Sequence, residues 1–255
     1  MVKLDKIRRF LGLSLVLAKS GFKLRNEGSY FGILWYLLNP ILLFALLFLL
    51  FQDRLGEEIP YYSIYLLLGI IMFNFFQDIT IESTKCIKEY GGIIKSINFD
   101  KKALVGSILF KKIFEHIFEI VLLAAVLLVV KGSFLGILFY PAIFIIFCIF
   151  VYGIALLLSS VVVYFVDLDN IWAFFVRLLW LATPIFYSIE GQTKLFVLNL
   201  FNPLYYFISI ARQTIIYSRM PELWLIGGAL FYALLFLFAG NYVFNKLKIK
   251  FAEMI

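Results

Sequence analysis

Two stretches of this chain leave it almost no choice of solvent. Residues 28–52 carry no side chain charged at neutral pH across 25 positions, and residues 223–245 carry none across 23. A helix rises ~1.5 Å per residue, so roughly 20 apolar residues cross the ~30 Å hydrocarbon core of a bilayer. In lipid every backbone donor and acceptor must be met within the protein, and a single apolar run achieves that only as a helix. The chain is therefore expected to be an all-α integral membrane protein. Its charge content points the same way, at 15% of residues against about 25% in an ordinary soluble domain.

Apolar runs read against charges give six expected spans, at 30–51, 61–80, 109–130, 136–164, 170–188 and 222–244. Lys131-Gly132-Ser133 is read as the turn joining the third and fourth. With alternating spans, seventeen Lys and Arg fall beside the two termini and the loop between spans two and three, and five fall on the opposite side. The basic side is cytoplasmic, which places both termini inside. The acidic Asp167-Leu168-Asp169-Asn170 loop runs against that trend. The net charge of +7 is thus a topology signal. No basic stripe with exposed aromatics stands clear of the membrane, so nucleic acid is excluded as a partner.

The basic residues ahead of Phe10–Ala18 look like the start of a signal peptide. The apolar stretch is short, however, and Lys19-Ser20 stands where small residues would be needed for cleavage. Residues 1–27 are read instead as a basic amphipathic helix on the inner leaflet, with Leu4, Ile7, Leu11 and Leu15 in one stripe. Packing of that helix on cytoplasmic protein is the alternative. Farther on, Lys194 and Arg212 bracket 17 uncharged residues interrupted by Asn202-Pro203. Proline removes a donor and disfavours helix at the residue before it. Residues 190–215 are therefore expected to form two short helices that enter the outer leaflet and return. Non-helical backbone at that depth must be buried in protein or line water.

Several polar groups fall within expected spans. Arg177 sits in span five, where a charge costs at least ~2.5 kcal/mol unless paired or wet. Its candidate partners are Glu115 and Glu119 on span three, in an intramembrane ion pair, with Asp78 at similar depth. A face lining a polar route is the competing explanation for Arg177. His116 is the only histidine, too few ligands for a metal site in one chain, so no metal is expected. Cys86 and Cys148 are expected to be free thiols. Trp35, Tyr36, Trp172, Phe174, Phe175, Trp180, Phe186 and Tyr187 are denser on spans one and five than an interfacial belt requires. Rings with flat apolar faces and polar edges suit a channel that passes sugars; helix packing is the plainer reading of the same residues.

The chain has no GxxxxGK[ST] phosphate loop. It also lacks HExxH, GxSxG and a water-exposed pair of catalytic carboxylates. It is therefore expected not to be an enzyme, and any pumping must draw its energy from another subunit.

Four segments carry a resemblance: GSYFGILWYLLNP at 28–40, STKCIKEYGGIIKSINFDKKAL at 83–104, DLDNIWAFFVRLLWLATPIFYS at 167–188 and NPLYYFISIARQTIIY at 202–217. In this order and spacing they resemble the ABC-2 family of exporter permeases. The likeness is strongest to the Wzm branch, the transmembrane subunits of O-antigen and related polysaccharide exporters, and it covers nearly the whole chain.

The resemblance implies a single transmembrane domain over 1–255 in a bacterial inner membrane. It implies pairing with a second copy and with two ABC ATPase subunits, which bind ATP and Mg while this chain holds no cofactor. It makes the 85–101 loop a coupling helix, centred on Lys88, Glu89, Tyr90, Gly91, Gly92, Ile93, Ile94 and Lys95. It makes 190–215 outer gate helices, with Asn202, Pro203, Tyr205 and Tyr206. The cargo it implies is a polysaccharide on a polyprenyl-diphosphate lipid, passing between two copies along spans one and five. Two departures stand out: Asp100 replaces a proline common in relatives, and Asp167/Asp169 lack the usual adjacent Arg. Another cargo, such as teichoic acid, lipid or drug, is the near alternative. A polyprenyl-phosphate enzyme using Asp167 and Asp169, and a passive channel, are the alternatives of other classes.

Overall fold

The computed structural model describes residues 2–27, 30, 32–130, 135–189 and 191–254, and all regular structure among them is helical. The expected turn at Lys131-Gly132-Ser133 lies outside the described residues. In chain order the helices are α1 (Val2–Asn26), α2 (Trp35–Leu55), α3 (Tyr62–Glu89), α4 (Gly91–Ser96), α5 (Lys102–Val129), α6 (Tyr140–Val161), α7 (Leu168–Ala182), α8 (Thr193–Leu200), α9 (Pro203–Ile215), α10 (Leu223–Leu247) and α11 (Phe251–Met254).

Helix α3 is the core. Leu66 to Phe73 are all fully buried, because α2, α5, α6, α7 and α9 surround the helix. Helices α6 and α10 form the closest pair, and the reason is glycine. A Cβ on Gly240 would run into the Gly153 carbonyl oxygen, and a Cβ on Gly153 into the backbone at Phe236 and Leu237. Small residues that let backbones touch are a principal way helices associate where lipid is as apolar as leucine.

Among the described residues, four helical segments are long and apolar enough to cross a bilayer: α2, α3, 136–161 and 223–250. The α8–α9 pair counts as a fifth if its two helices are taken together across their 108° bend. The six-span expectation is met only in part, for physical reasons. Helix α5 has the length, at 28 residues, but carries Lys111, Lys112, Glu115 and Glu119. Helix α7 has only 15 residues, so it rises roughly 22 Å. Pro184 holds Thr183 extended, at φ −82° and ψ 134°, and ends the helix there. The expected span 170–188 is therefore a shorter helix followed by irregular chain.

Helix α1 packs along α5, with Ser14 and Ala18 buried and Gly106 giving room for Phe10 and Ser14. Ile7, Leu11 and Leu15 of the expected stripe remain exposed.

The two ends of the bundle differ. At one end Lys101 Nζ donates to the Lys248 carbonyl at 3.0 Å, and Tyr164 Oη to that of Leu247 at 3.1 Å. Helix α11 packs against α4 there, with Phe251 buried. At the opposite end Tyr62 and Tyr65 donate to the carbonyls of Phe186 and Tyr187, at 3.0 and 2.8 Å. The α8–α9 hairpin covers that second end, near residues 184–189.

Candidate functional site

The expected coupling segment is a helix–turn–helix at the first end. Helix α3 runs on to Glu89, and Tyr90 breaks it with φ −91° and ψ 15°. Helix α4 follows, and residues 97–100 lead into α5. Lys88, Glu89, Gly92, Ile93 and Lys95 are exposed, and a Cβ on Gly92 would meet open space. Gly91 is buried. Ile94 departs from the expectation of a partner-facing residue. It is 4% exposed and joins the core, whereas Ile93 is 42% exposed. On a helix, adjacent residues point about 100° apart, so one isoleucine anchors the segment and the other is presented. Burial pushes the Tyr90 phenol above its ordinary range, with Glu82 and Glu89 adding to the effect. Burial and then the nearby Lys248 charge hold Lys101 below the usual lysine range. The bracing of this segment by Phe251 and by the Lys101–Lys248 bond was not legible in the sequence, since nothing in a basic tail marks it as a strut.

The aromatic residues divide. Tyr36 is buried between Phe22 and Phe118, with ring centroids at 5.6 and 6.1 Å, and so serves packing. Trp172 is half-buried against Phe76 and Phe175. Phe186 is also half-buried; it stacks on Phe51 at 5.0 Å and touches Trp180 at 5.4 Å. Tyr187 folds back to donate to the carbonyls of Leu181 and Ala182. Trp35, Phe174 and Phe175 are exposed. Only Val176 of α7 is buried outright, and Phe174 is 61% exposed. Helix α2 likewise buries only Tyr36, Pro40 and Leu47. These two helices present broad uncovered apolar faces.

The expected ion pair of Arg177 with Glu115 and Glu119 is not formed. Arg177 is exposed on α7, among Phe174, Leu178 and Leu181, and makes no salt bridge among the described residues. The carboxylates have nearer partners. Lys112 Nζ lies 2.6 Å from Glu115 and 2.7 Å from Asp78, and Lys111 pairs with Glu82. Glu119 Oε2 meets His116 Nδ1 at 2.6 Å, while His116 Nε2 meets the Tyr140 hydroxyl at 2.7 Å. An i, i+3 neighbour on one's own helix is always within reach, which a partner on another helix is not. No group of three or more metal-ligating side chains gathers among the described residues.

In the hairpin, Asn202 caps α9 by accepting from Leu204 N at 3.1 Å, and its amide donates to Thr183 Oγ1 and Asn199 Oδ1. Pro203 takes the first helical position, where its missing N–H is harmless. Tyr206 is buried and ties back to the Leu200 carbonyl at 2.8 Å, while Tyr205 is half-buried.

The family profile described as ABC-2 type transporter matches residues 13–216. The chain is 26% identical over 251 residues to the O-antigen export system permease protein RfbA of Klebsiella pneumoniae, covering 95% of each chain. It is 23% identical over 266 aligned positions to the RfbA permease of Myxococcus xanthus, covering all of both. A second Klebsiella pneumoniae RfbA permease matches at 25% over 253 residues, again with 95% of each covered. A multi-pass helical body, a presented loop at its basic end and a match across four-fifths of the sequence agree with one another: this chain belongs to the ABC-2 type transporter family.

Proposed function

We propose that the protein is the permease subunit of an ATP-driven exporter that moves a lipid-linked polysaccharide across the bacterial inner membrane. It crosses six times, with both termini inside. The charges on α5 do not forbid crossing, because they are paired within the bundle. Residues 183–189 complete the passage that α7 begins.

The observation that carries this reading is Arg177 on the uncovered face of α7. A guanidinium facing acyl chains costs at least ~2.5 kcal/mol, whereas one facing a wet passage between two copies costs far less. The faces of α2 and α7, with Phe174, Phe175 and Trp35, then form the wall along which sugars slide. The hairpin α8–α9 gates the outer mouth. The α3–α4 elbow seats in a partner ATPase, whose closure shifts α2 and α7 by binding two states of the elbow unequally. The O-antigen export names of the relatives favour polysaccharide over other cargo.

Purification from native membranes tests the motor. An ATP-hydrolysing subunit is expected to accompany the wild-type chain. Its absence under mild extraction, with the permease itself intact, overturns the reading. Deletion of the gene is expected to leave glycan accumulated inside the cell; loss of glycan synthesis would instead favour an enzyme acting on the lipid carrier.

A further inference from the structure

At the hairpin end, one chain alone lines an open pocket of about 640 Å³ between the start of α3, residues 184–189 and 191–192, α9 and the start of α10. Its lining mixes chemistries that rarely meet in a membrane. Trp224, Tyr205 and Phe196 form an aromatic wall, with centroids 6.1–6.5 Å apart. Gln192 and Gln213 bring amides, and Glu58 and Glu222 bring carboxylates.

Arg212 closes the floor. It is 4% exposed. Its Nη1 donates to the Pro184 carbonyl at 2.6 Å, and its Nη2 to those of Ile185 and Tyr65 at 2.8 and 3.1 Å. The guanidinium carbon lies 3.3 Å from the Tyr65 ring centre. Gly69 makes room for it, since a Cβ there would stand 2.8 Å from Nη2. Arg212 Nε is buried and has no acceptor among the described residues. A buried donor without a partner costs ~1–3 kcal/mol.

We propose that this pocket binds a single neutral sugar ring. Aromatic faces stack on the apolar side of a pyranose, and amides and carboxylates hydrogen-bond its hydroxyl rim. Two carboxylates on the walls repel a phosphate or an acidic sugar. The polar lining is wrong for an acyl chain. The proposal deepens the exporter reading and rests on it only for the source of the sugar, a residue of the chain in transit.

The test uses the full-length permease in lipid nanodiscs with methyl α-D-mannopyranoside, methyl α-D-glucopyranoside, methyl β-D-galactopyranoside and inorganic phosphate. Saturation-transfer NMR is expected to show contact with at least one glycoside, undisturbed by phosphate. Trp224→Leu is expected to weaken binding about tenfold, or ~1.4 kcal/mol. Ser209→Trp, which fills the pocket, is expected to abolish it. Should either variant fail to fold, Glu58→Gln, at an exposed position, is expected to weaken binding with no loss of stability. No transfer to any glycoside, wild-type binding in the folded variants, or displacement by phosphate would each overturn the site. A photo-crosslinking residue at position 209 in living cells reports the source. Adducts bearing glycan only during export identify the chain in transit; adducts formed equally without export identify sugars from the surroundings. If glycosides fail to bind while an ATPase still co-purifies, the pocket is refuted and the exporter reading stands.

Discussion

At the scale of single residues, burial separates side chains that the sequence grouped together. Tyr36 and Phe174 both belonged to one aromatic set, yet one lies between two rings and the other on an open face. Tyr36→Ala is therefore expected to lower thermal stability, by about 3–5 kcal/mol as for other buried aromatics. Phe174→Ala is expected to leave the melting temperature unchanged and to slow export. Differential scanning fluorimetry and an in-cell export assay separate the two. Gly240→Val is expected to cost at least about 1–3 kcal/mol, because the new methyl groups must displace backbone on α6. Aromatic density was visible in the sequence. Which ring turns inward was not, because that depends on α1 and α5 supplying Phe22 and Phe118 from far away in the chain.

At the scale of elements, the sequence carried the punctuation well. Asn202-Pro203 marked the break between α8 and α9, since a proline's missing donor and a cap's side chain are local facts. Gly91-Gly92 lay at the start of the elbow helix for the same kind of reason. The end of α7 was misplaced because apolar residues continue past Pro184 to Tyr187, and a hydropathy reading does not register a bend that keeps the chain apolar. The Arg177 pairing failed similarly: angular position around two helices was not legible. Within the elbow, Ile93→Glu is expected to abolish co-purification of the ATPase while the chain stays folded. Ile94→Glu is expected to unfold the segment, because it puts a charge among core residues. A pull-down read beside a melting curve distinguishes these. Equal behaviour of the two variants would refute the division of labour between the isoleucines.

At the scale of the whole molecule, charge asymmetry is a robust kind of signal, because it is summed over many residues and survives errors at any one of them. It gathers Lys88, Lys95, Lys101, Lys246 and Lys250 near one end, where α4 and α11 meet. A cysteine placed at Ile97, in a Cys86→Ala, Cys148→Ala background, is expected to react with a membrane-impermeant maleimide only in inverted vesicles. Labelling from the outside of intact cells would reverse the topology and remove the site for a cytoplasmic motor. The α6–α10 contact sets a final condition on any such machine. Backbone pressed on backbone at Gly153 and Gly240 leaves little slack to slide, so in the proposed cycle this half of the protein would serve as the fixed wall. Displacement must be taken up by α2 and α7, which hold the rest by few buried side chains. The stroke proposed for the transporter would then be apportioned by where glycine permits contact, and amide exchange is expected to be slowest along that seam and fastest on α2 and α7.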